Sequence, residues 1–315
     1  MNKVLLPQPI AKCGEDYLKE HGCEVIHGRG IDADTIAEDA KDCDAIIARI
    51  GDFSRKVIEN GKNIKVIARH GAGYDNINIE AAKEKGIWVT FDPVSNGNVV
   101  AEHCIALIMG CAKNISFMDS AVREGNFSIR NKLKTTEVSG KVLGIAGYGR
   151  IGKMVAQKAK LGLGMKILAY DVNIDKNNCD VDVAESLDEL LEKSDFVSVH
   201  MPLLENTRHL FNKEAFSKMK ETAVFINCSR GPLVDENDLY EALKTGKISM
   251  AATDVFEDEP PKSDNPLLTL DNILLSPHNA ALTNEAMDKM ALTAAKAVCY
   301  VLNGERPEFI IIEEK

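Results

Sequence analysis

Three side chains in the last third of the chain are suited to acid–base work on an anionic substrate. Arg230 follows Ala223-Val224-Phe225-Ile226-Asn227-Cys228-Ser229, Glu259 follows Asp254-Val255-Phe256-Glu257-Asp258, and His278 follows Leu274-Leu275-Ser276-Pro277. Taken singly they read as a surface charge, a turn acid before Pro260 and a loop histidine. Taken together they supply what reduction of a 2-oxo acid needs. A guanidinium grips the carboxylate, an imidazole gives a proton to the carbonyl oxygen, and a carboxylate keeps that imidazole protonated.

A second group of residues is suited to holding a dinucleotide. Val142-Leu143-Gly144-Ile145-Ala146 has the pattern of a strand, Gly147-Tyr148-Gly149-Arg150-Ile151-Gly152 follows it, and a helical pattern continues through Leu161. In that context Gly147 permits the tight turn, Gly149 lets a pyrophosphate approach the backbone, and Gly152 lets the helix pack on the strand. The N–H groups of Arg150 and Ile151 then face the phosphates at a helix N-terminus. Asp171 ends the next strand pattern, nineteen residues beyond Gly152. A carboxylate there accepts from the adenosine ribose hydroxyls and repels a 2′-phosphate, so NAD is expected over NADP. The plain alternative is a glycine turn followed by an Asp cap.

These residues need rigid elements to carry them, and the chain supplies an alternation of short β-branched runs and helical patterns. Strands are predicted at Lys3–Leu6, Glu24–Ile26, Ala45–Ala48, Lys65–Ala68 and Ile87–Thr90, with helices around 14–20, 35–40, 54–59 and 78–85. A long apolar helical pattern, 98–124, interrupts the rhythm. Strands resume at Val142–Ala146, Lys166–Tyr170, Phe196–Val199, Ala223–Asn227, Met250–Thr253 and Ile273–Leu275, and a last amphipathic helix spans 284–302. The pattern predicts an α/β protein with two doubly wound, parallel-sheet domains. The last helix returns to the first domain. The expected division is 1–97 with 285–315 for the substrate domain and 98–284 for the cofactor domain.

Composition narrows the classes. The 315 residues are 45% apolar and 27% charged, which excludes a disordered or low-complexity chain. A net charge of −10 disfavours nucleic acid or an anionic membrane as partner. No apolar stretch approaches the roughly 20 residues that span a bilayer. The opening Met1-Asn2-Lys3-Val4-Leu5-Leu6-Pro7 runs into a strand, which predicts no signal peptide and a cytoplasmic protein. The eight cysteines show neither a CxxC pair nor zinc spacing, so reduced thiols and no metal site are expected.

Over nearly its whole length the sequence resembles the D-isomer-specific 2-hydroxyacid dehydrogenases. The matching stretches are Arg69-His70-Gly71-Ala72-Gly73-Tyr74-Asp75-Asn76-Ile77, Ala101-Glu102-His103, Gly140-Lys141-Val142-Leu143-Gly144-Ile145 with the glycine loop, and Val199-His200-Met201-Pro202-Leu203. Asn227-Cys228-Ser229-Arg230-Gly231, Asp254-Val255-Phe256 with Glu259-Pro260, and Ser276-Pro277-His278 complete the set. The resemblance implies that Arg230, Glu259 and His278 are the catalytic trio. It further implies that Asp254 binds the nicotinamide amide, and that His200, Pro202 and Cys228 line the cofactor cleft. It implies a flavodoxin-like substrate lobe beside an NAD-binding Rossmann lobe, and a homodimer formed through the latter.

The substrate reading rests on smaller features. Gly71-Ala72-Gly73 offers backbone N–H groups to a carboxylate, or simply a turn that needs unusual dihedral angles. Arg49, Arg69 and Arg130 match arginine positions of the 3-phosphoglycerate dehydrogenases within the family, although solvated charge explains each one alone. They favour 3-phosphoglycerate, and a chain ending at Lys315 would be a short form without a regulatory domain. The alternatives are hydroxypyruvate, glyoxylate or D-lactate as substrate, and an NAD-binding corepressor-like regulator. Formate is disfavoured, because glutamine is expected where Glu259 stands. Asn279-Ala280-Ala281 after the histidine, Tyr74 and Asn78 depart from the family pattern.

Overall fold

The β-branched runs form parallel strands and the segments between them form covering helices in a computed structural model that describes residues 1–176 and 179–313. Two compact units result. One holds Met1–Asn96 and the segment from Ala281 onward, and the other holds Gly97–Ala280. The cuts lie one and four residues before those expected from the sequence.

In the first unit, β1 (Asn2–Leu6), α1 (Lys12–Glu20), β2 (Cys23–His27), α2 (Ala33–Asp39), β3 (Ala45–Ala48), α3 (Arg55–Asn60), β4 (Val66–Arg69), α4 (Ile79–Glu84) and β5 (Trp88–Thr90) alternate strictly. The parallel strands lie in the order β2-β1-β3-β4-β5, the flavodoxin-like arrangement. Such strands are covered on both faces, so they read as continuous apolar runs: Ala45-Ile46-Ile47-Ala48 is buried throughout.

The second unit begins with α5 (Gly97–Lys113) and α6 (Ile115–Arg123), then runs β6 (Val142–Ala146), α7 (Arg150–Leu163), β7 (Lys166–Tyr170), β8 (Asp182–Val183), α8 (Leu187–Lys193) and β9 (Phe196–Val199). It finishes with α9 (Lys213–Lys218), β10 (Val224–Asn227), α10 (Glu236–Lys244), β11 (Met250–Thr253) and β12 (Ile273–Leu275). Its seven strands are ordered β12-β11-β10-β9-β6-β7-β8. Counted from β6 this is the Rossmann order 3-2-1-4-5-6 with a seventh strand added. Phe225 anchors the core, with its ring centroid 5.2 Å from Phe211 and 5.3 Å from Phe216.

The chain then returns to the first unit as α11 (Asn284–Leu302) and β13 (Ile310–Ile312), which pairs antiparallel with β5. Helix α11 lies so close to α1 that a Cβ on Gly14 would stand 2.9 Å from the carbonyl oxygen of Ala291.

The apolar pattern 98–124 is two helices, not one, because Asn114 adopts the left-handed conformation (φ 50°, ψ 41°) and the axis turns by 57° there. Asparagine tolerates that region better than other side chains with a Cβ. Among the described residues no single helix is long and apolar enough to cross a membrane, and only this bent pair meets the length and composition together. The short helices α8, α9 and α10 give little periodicity to read and are instead marked by their caps, Ser186, Asn212 and Asp235.

The α1–α11 contact yields the first test. Gly14→Ala forces its new methyl against Ala291, and the loss of stability expected is about 1–3 kcal/mol by urea denaturation. An unchanged midpoint would contradict the tight docking of α11 on this unit.

Candidate active site

The second sheet reverses direction of winding between β6 and β9, and two loops meet where those strands end. Gly147 leaves β6 at φ +97°, and a Cβ on it would stand 2.7 Å from the carbonyl carbon and oxygen of His200. Only glycine satisfies both the angle and the approach. Gly152 is as tightly constrained, since a methyl there would overlap the Gly147 carbonyl. Around Gly149 the situation is opposite: beyond its two chain neighbours, no atom among the described residues comes within 4 Å of where its Cβ would be. Gly149 caps α7, so the open space lies beside the first N–H groups of that helix, those of Arg150 and Ile151. Such an opening beside free helix N–H groups can cradle a phosphate.

Asp171, just beyond β7, braces the cradle. Its two oxygens accept from the N–H groups of Tyr148 and Asn173, both at 2.9 Å. Each carboxylate oxygen keeps a second lone pair for a ribose hydroxyl. His200 turns its Nε2 to Ser198 Oγ at 2.9 Å, and burial pushes its pKa down to about 4, so it is neutral. Pro202 is exposed, and its carbonyl accepts from Thr207 Oγ1 at 2.8 Å. Cys228 is half-buried, and the neighbouring Cys104 thiol together with burial raises its pKa, which keeps it protonated. The residues present fit a dinucleotide.

The three candidate catalytic side chains meet in the same unit. Gly231 makes this possible: a methyl there would overlap the Phe256 carbonyl, so the loop carrying Arg230 packs directly on the loop that leads to Glu259. The Phe256 N–H donates to Glu259 Oε1 at 3.0 Å, and Glu259 Oε2 lies 2.6 Å from His278 Nδ1. Burial alone would raise the Glu259 pKa. The bonds from His278 and Phe256, with the charges of His278 and Arg230, outweigh it and hold the carboxyl below its ordinary value. Arg230 is steadied by Asn227 Nδ2 on its carbonyl (2.9 Å), and its own Nη1 donates to Ser229 O (2.7 Å). With Nδ1 engaged, Nε2 is the nitrogen of His278 that can exchange a proton with a ligand.

His278 itself sits at φ +50°, an uncommon angle for a residue with a Cβ. Asp254 holds it there. The Asp254 carbonyl accepts from His278 N at 2.7 Å, and its carboxylate accepts from Asn279 N (3.0 Å), Ala280 N (2.9 Å) and Ser276 Oγ (2.6 Å). Asp254 is only 1% exposed. The sequence reading gave it a cofactor contact and missed this bracing role, along with Ser276 and His103, which it quoted inside motifs without a function.

The candidate substrate residues fall in different places. Arg49, Arg69, Gly71, Ala72 and Gly73 belong to the first unit, and Arg130 to the second. Arg69 donates to the carbonyls of Gly73, His70 (2.8 Å) and Ala48 (3.1 Å), so it braces the glycine-containing loop from behind. Gly71, at φ +131°, uses its N–H on Arg69 O at 3.0 Å, and this leaves Ala72 and Gly73 as the loop's donors. Arg49 stands at the end of β3, beside the point where this sheet's order reverses, and donates to Pro9 O. Among the described residues no carboxylate pairs with it. Arg130 is exposed in a short turn, 5.6 Å above the Phe127 ring. His70, named above only inside a motif, is 4% exposed, and burial with the charges of Arg49 and Arg69 pushes its pKa down to about 4. Among the described residues no three His, Cys, Asp or Glu side chains gather as a metal site.

Residues 105–280, nearly all of the second unit, match the model of the D-isomer specific 2-hydroxyacid dehydrogenase, NAD binding domain. The chain belongs to the D-isomer specific 2-hydroxyacid dehydrogenases. Its second unit is the NAD-binding domain of that family, and NAD is its cofactor. The chain is 41% identical over 315 residues to a D-3-phosphoglycerate dehydrogenase of Methanocaldococcus jannaschii, covering 99% of itself but 59% of that longer relative. It is 39% identical over 299 residues to a hydroxypyruvate reductase of Thermotoga maritima, covering 94% of itself and 97% of the relative. The crystal structure of the TT0316 protein from Thermus thermophilus superposes with a TM-score of 0.93 at 30% identity, over 98% of this chain and 100% of that one.

Asp171 provides the test of this site. The unmodified protein is expected to bind NADH well and NADPH poorly, because a 2′-phosphate would meet the carboxylate. Asp171→Ala is expected to raise the NADPH-to-NADH ratio of kcat/KM about tenfold or more, while weakening NADH through the lost ribose and Tyr148 bonds. Equal use of both cofactors by the unmodified protein would refute the assignment.

Proposed function

We propose that the chain interconverts a D-2-hydroxy acid and its 2-oxo acid, with hydride passing between NAD(H) and C2. The observation that carries this reading is the 2.6 Å contact of His278 Nδ1 with Glu259 Oε2, on a carboxylate that also feels the Arg230 charge. NAD, when bound, supplies or accepts the hydride. The side chains manage charge and protons. Arg230 holds the substrate carboxylate through its planar fork. His278 Nε2 gives a proton to the carbonyl oxygen in reduction and removes one from the hydroxyl in oxidation. Glu259, kept ionised, stabilises the imidazolium.

For the substrate we favour 3-phosphoglycerate and 3-phosphohydroxypyruvate. Arg49 is half-buried and burial lowers its pKa, yet no carboxylate among the described residues compensates it, which suits an anionic second group on the substrate. Arg130 is a further candidate for that group. A second reading, hydroxypyruvate, glyoxylate or D-lactate, is favoured by Arg69: its bonds to three carbonyls remove one of the three arginines counted for a phosphate. Nothing in the site favours a non-catalytic NAD-binding regulator. A homodimer through the second unit is supported by Ile115, Val122 and Phe127, each more than half exposed on α6 and the turn after it. Eight free thiols fit a cytoplasmic protein.

NADH oxidation against a panel of 2-oxo acids tests both readings. We expect 3-phosphohydroxypyruvate to give the highest kcat/KM. Arg49→Ala should lower that value about tenfold or more while changing glyoxylate about threefold or less. Hydroxypyruvate in first place, with Arg49→Ala neutral, would establish the second reading. Arg230→Ala is expected to lose about a hundredfold or more on every substrate, and Arg230→Lys a smaller factor, with NADH affinity nearly spared. Native turnover in Arg230→Ala would reject its role.

A further inference from the structure

We infer that His103, on α5, is a positioning residue for the hydride-transfer step, acting through Ser276 and Asp254 on the loop that carries His278. The inference rests on the catalytic reading of His278 given above.

Three elements meet at this point. Asp254 follows β11, Ser276 follows β12, and His103 projects from α5. His103 Nε2 lies 3.1 Å from Ser276 Oγ, and Ser276 Oγ lies 2.6 Å from Asp254 Oδ1. A serine hydroxyl has one proton. The shorter contact, to a carboxylate that can only accept, takes that proton, so the serine oxygen accepts from His103. The direction of the chain is therefore settled: His103 Nε2–H donates to Ser276 Oγ, and Ser276 O–H donates to Asp254 Oδ1. His103 is itself 3.6 Å from Asp254 Oδ1, too long for a direct bond and close enough to feel its charge.

The consequence falls on His278. Asp254 Oδ1 takes Ser276 O–H and Asn279 N–H, while Oδ2 takes Ala280 N–H. The carboxylate plane is thereby set by groups on both sides of His278, which is held at φ +50° with its N–H on the Asp254 carbonyl. Oδ1 carries two donors and Oδ2 one. Without His103, the Ser276 oxygen loses its donor, so the Ser276–Asp254 bond loses that polarisation and the serine side chain one of its two anchors. The loop then holds His278 less firmly at a reacting distance, where a displacement of about 1 Å costs on the order of a hundredfold in rate.

The test uses the full-length protein with NADH and its best 2-oxo acid. His103→Leu removes the donor, whereas His103→Gln places an amide N–H at a similar reach. Ser276→Ala removes the relay, and Ser276→Thr keeps the hydroxyl. We expect His103→Leu and Ser276→Ala each to lower kcat about tenfold to a hundredfold, with the NADH dissociation constant changed about threefold or less. His103→Gln and Ser276→Thr should recover most of the loss. The double variant His103→Leu/Ser276→Ala should be no slower than the worse single one, since both cut one chain. Native kcat in His103→Leu, or fully multiplicative losses in the double variant, overturns the inference. Should His103→Leu fail to fold, the Ser276→Ala and Ser276→Thr pair decides it, and equal activity of those two overturns it. His278→Ala separates the two claims. If it is inactive while His103→Leu is native, this inference alone falls; if it is active, the catalytic reading falls.

Discussion

The hydrogen bond between His278 Nδ1 and Glu259 Oε2 joins two loops that leave different strands of one sheet, and most of the local structure can be understood as what that bond requires. A carboxylate that is 31% exposed beside an imidazole that is 42% exposed would gain little from Coulomb attraction through water alone. What makes the pair effective is its support. The Phe256 N–H fixes one oxygen of Glu259, the Arg230 charge favours the ionised form, and Asp254 pins the backbone of His278 in a left-handed conformation it would not choose. Gly231 is the smallest part and among the least replaceable, because a side chain there would overlap the Phe256 carbonyl and part the two loops.

Both sheets place their useful residues by the same rule. In an open parallel sheet the loops diverge where the order of strands reverses, and a crevice opens at the strands' carboxyl ends. In the second unit that reversal lies between β6 and β9, and there the backbone of Gly147 meets that of His200 beside the open space at Gly149. In the first unit it lies between β1 and β3, and there Arg49 reaches Pro9 while Ile50 N–H takes Gln8 Oε1. A half-buried arginine with no carboxylate partner among the described residues, at the place where such sheets bind ligands, is what an anionic substrate would need.

Much of this was legible in the sequence, for a physical reason. Parallel strands buried on both faces must be short apolar runs, and turns that admit a phosphate must be glycine, so β1, β3, β6, β9, β10 and the glycine loop could be located from residue types alone. The trio could be proposed because arginine, glutamate and histidine at strand ends have few other joint uses. What could not be read depends on side-chain direction. Arg69 and Arg49 look equivalent as letters, yet Arg69 is folded back onto carbonyls of its own loop and of β3. Asp254 resembled a ligand contact, and its bonds to Asn279 and Ala280 emerge only when two loops are brought together. The break at Asn114 turned on one dihedral angle, and an asparagine within an apolar pattern does not reveal it.

The central claim is that Glu259 and His278 act as one proton-handling unit. Reduction needs the imidazole protonated and oxidation needs it neutral, while Glu259, held below the ordinary carboxylate range, is ionised throughout the working range of either direction. Its negative charge favours the imidazolium, so removing it should shift both limbs to lower pH. The decisive measurement is the pH dependence of kcat/KM in both directions for the native protein and for Glu259→Gln. We expect the variant to stop reducing at a lower pH than the native protein, and to begin oxidising at a lower pH as well. Limbs that stay in place in both directions would contradict the pairing and leave Glu259 as a residue that only shapes its loop.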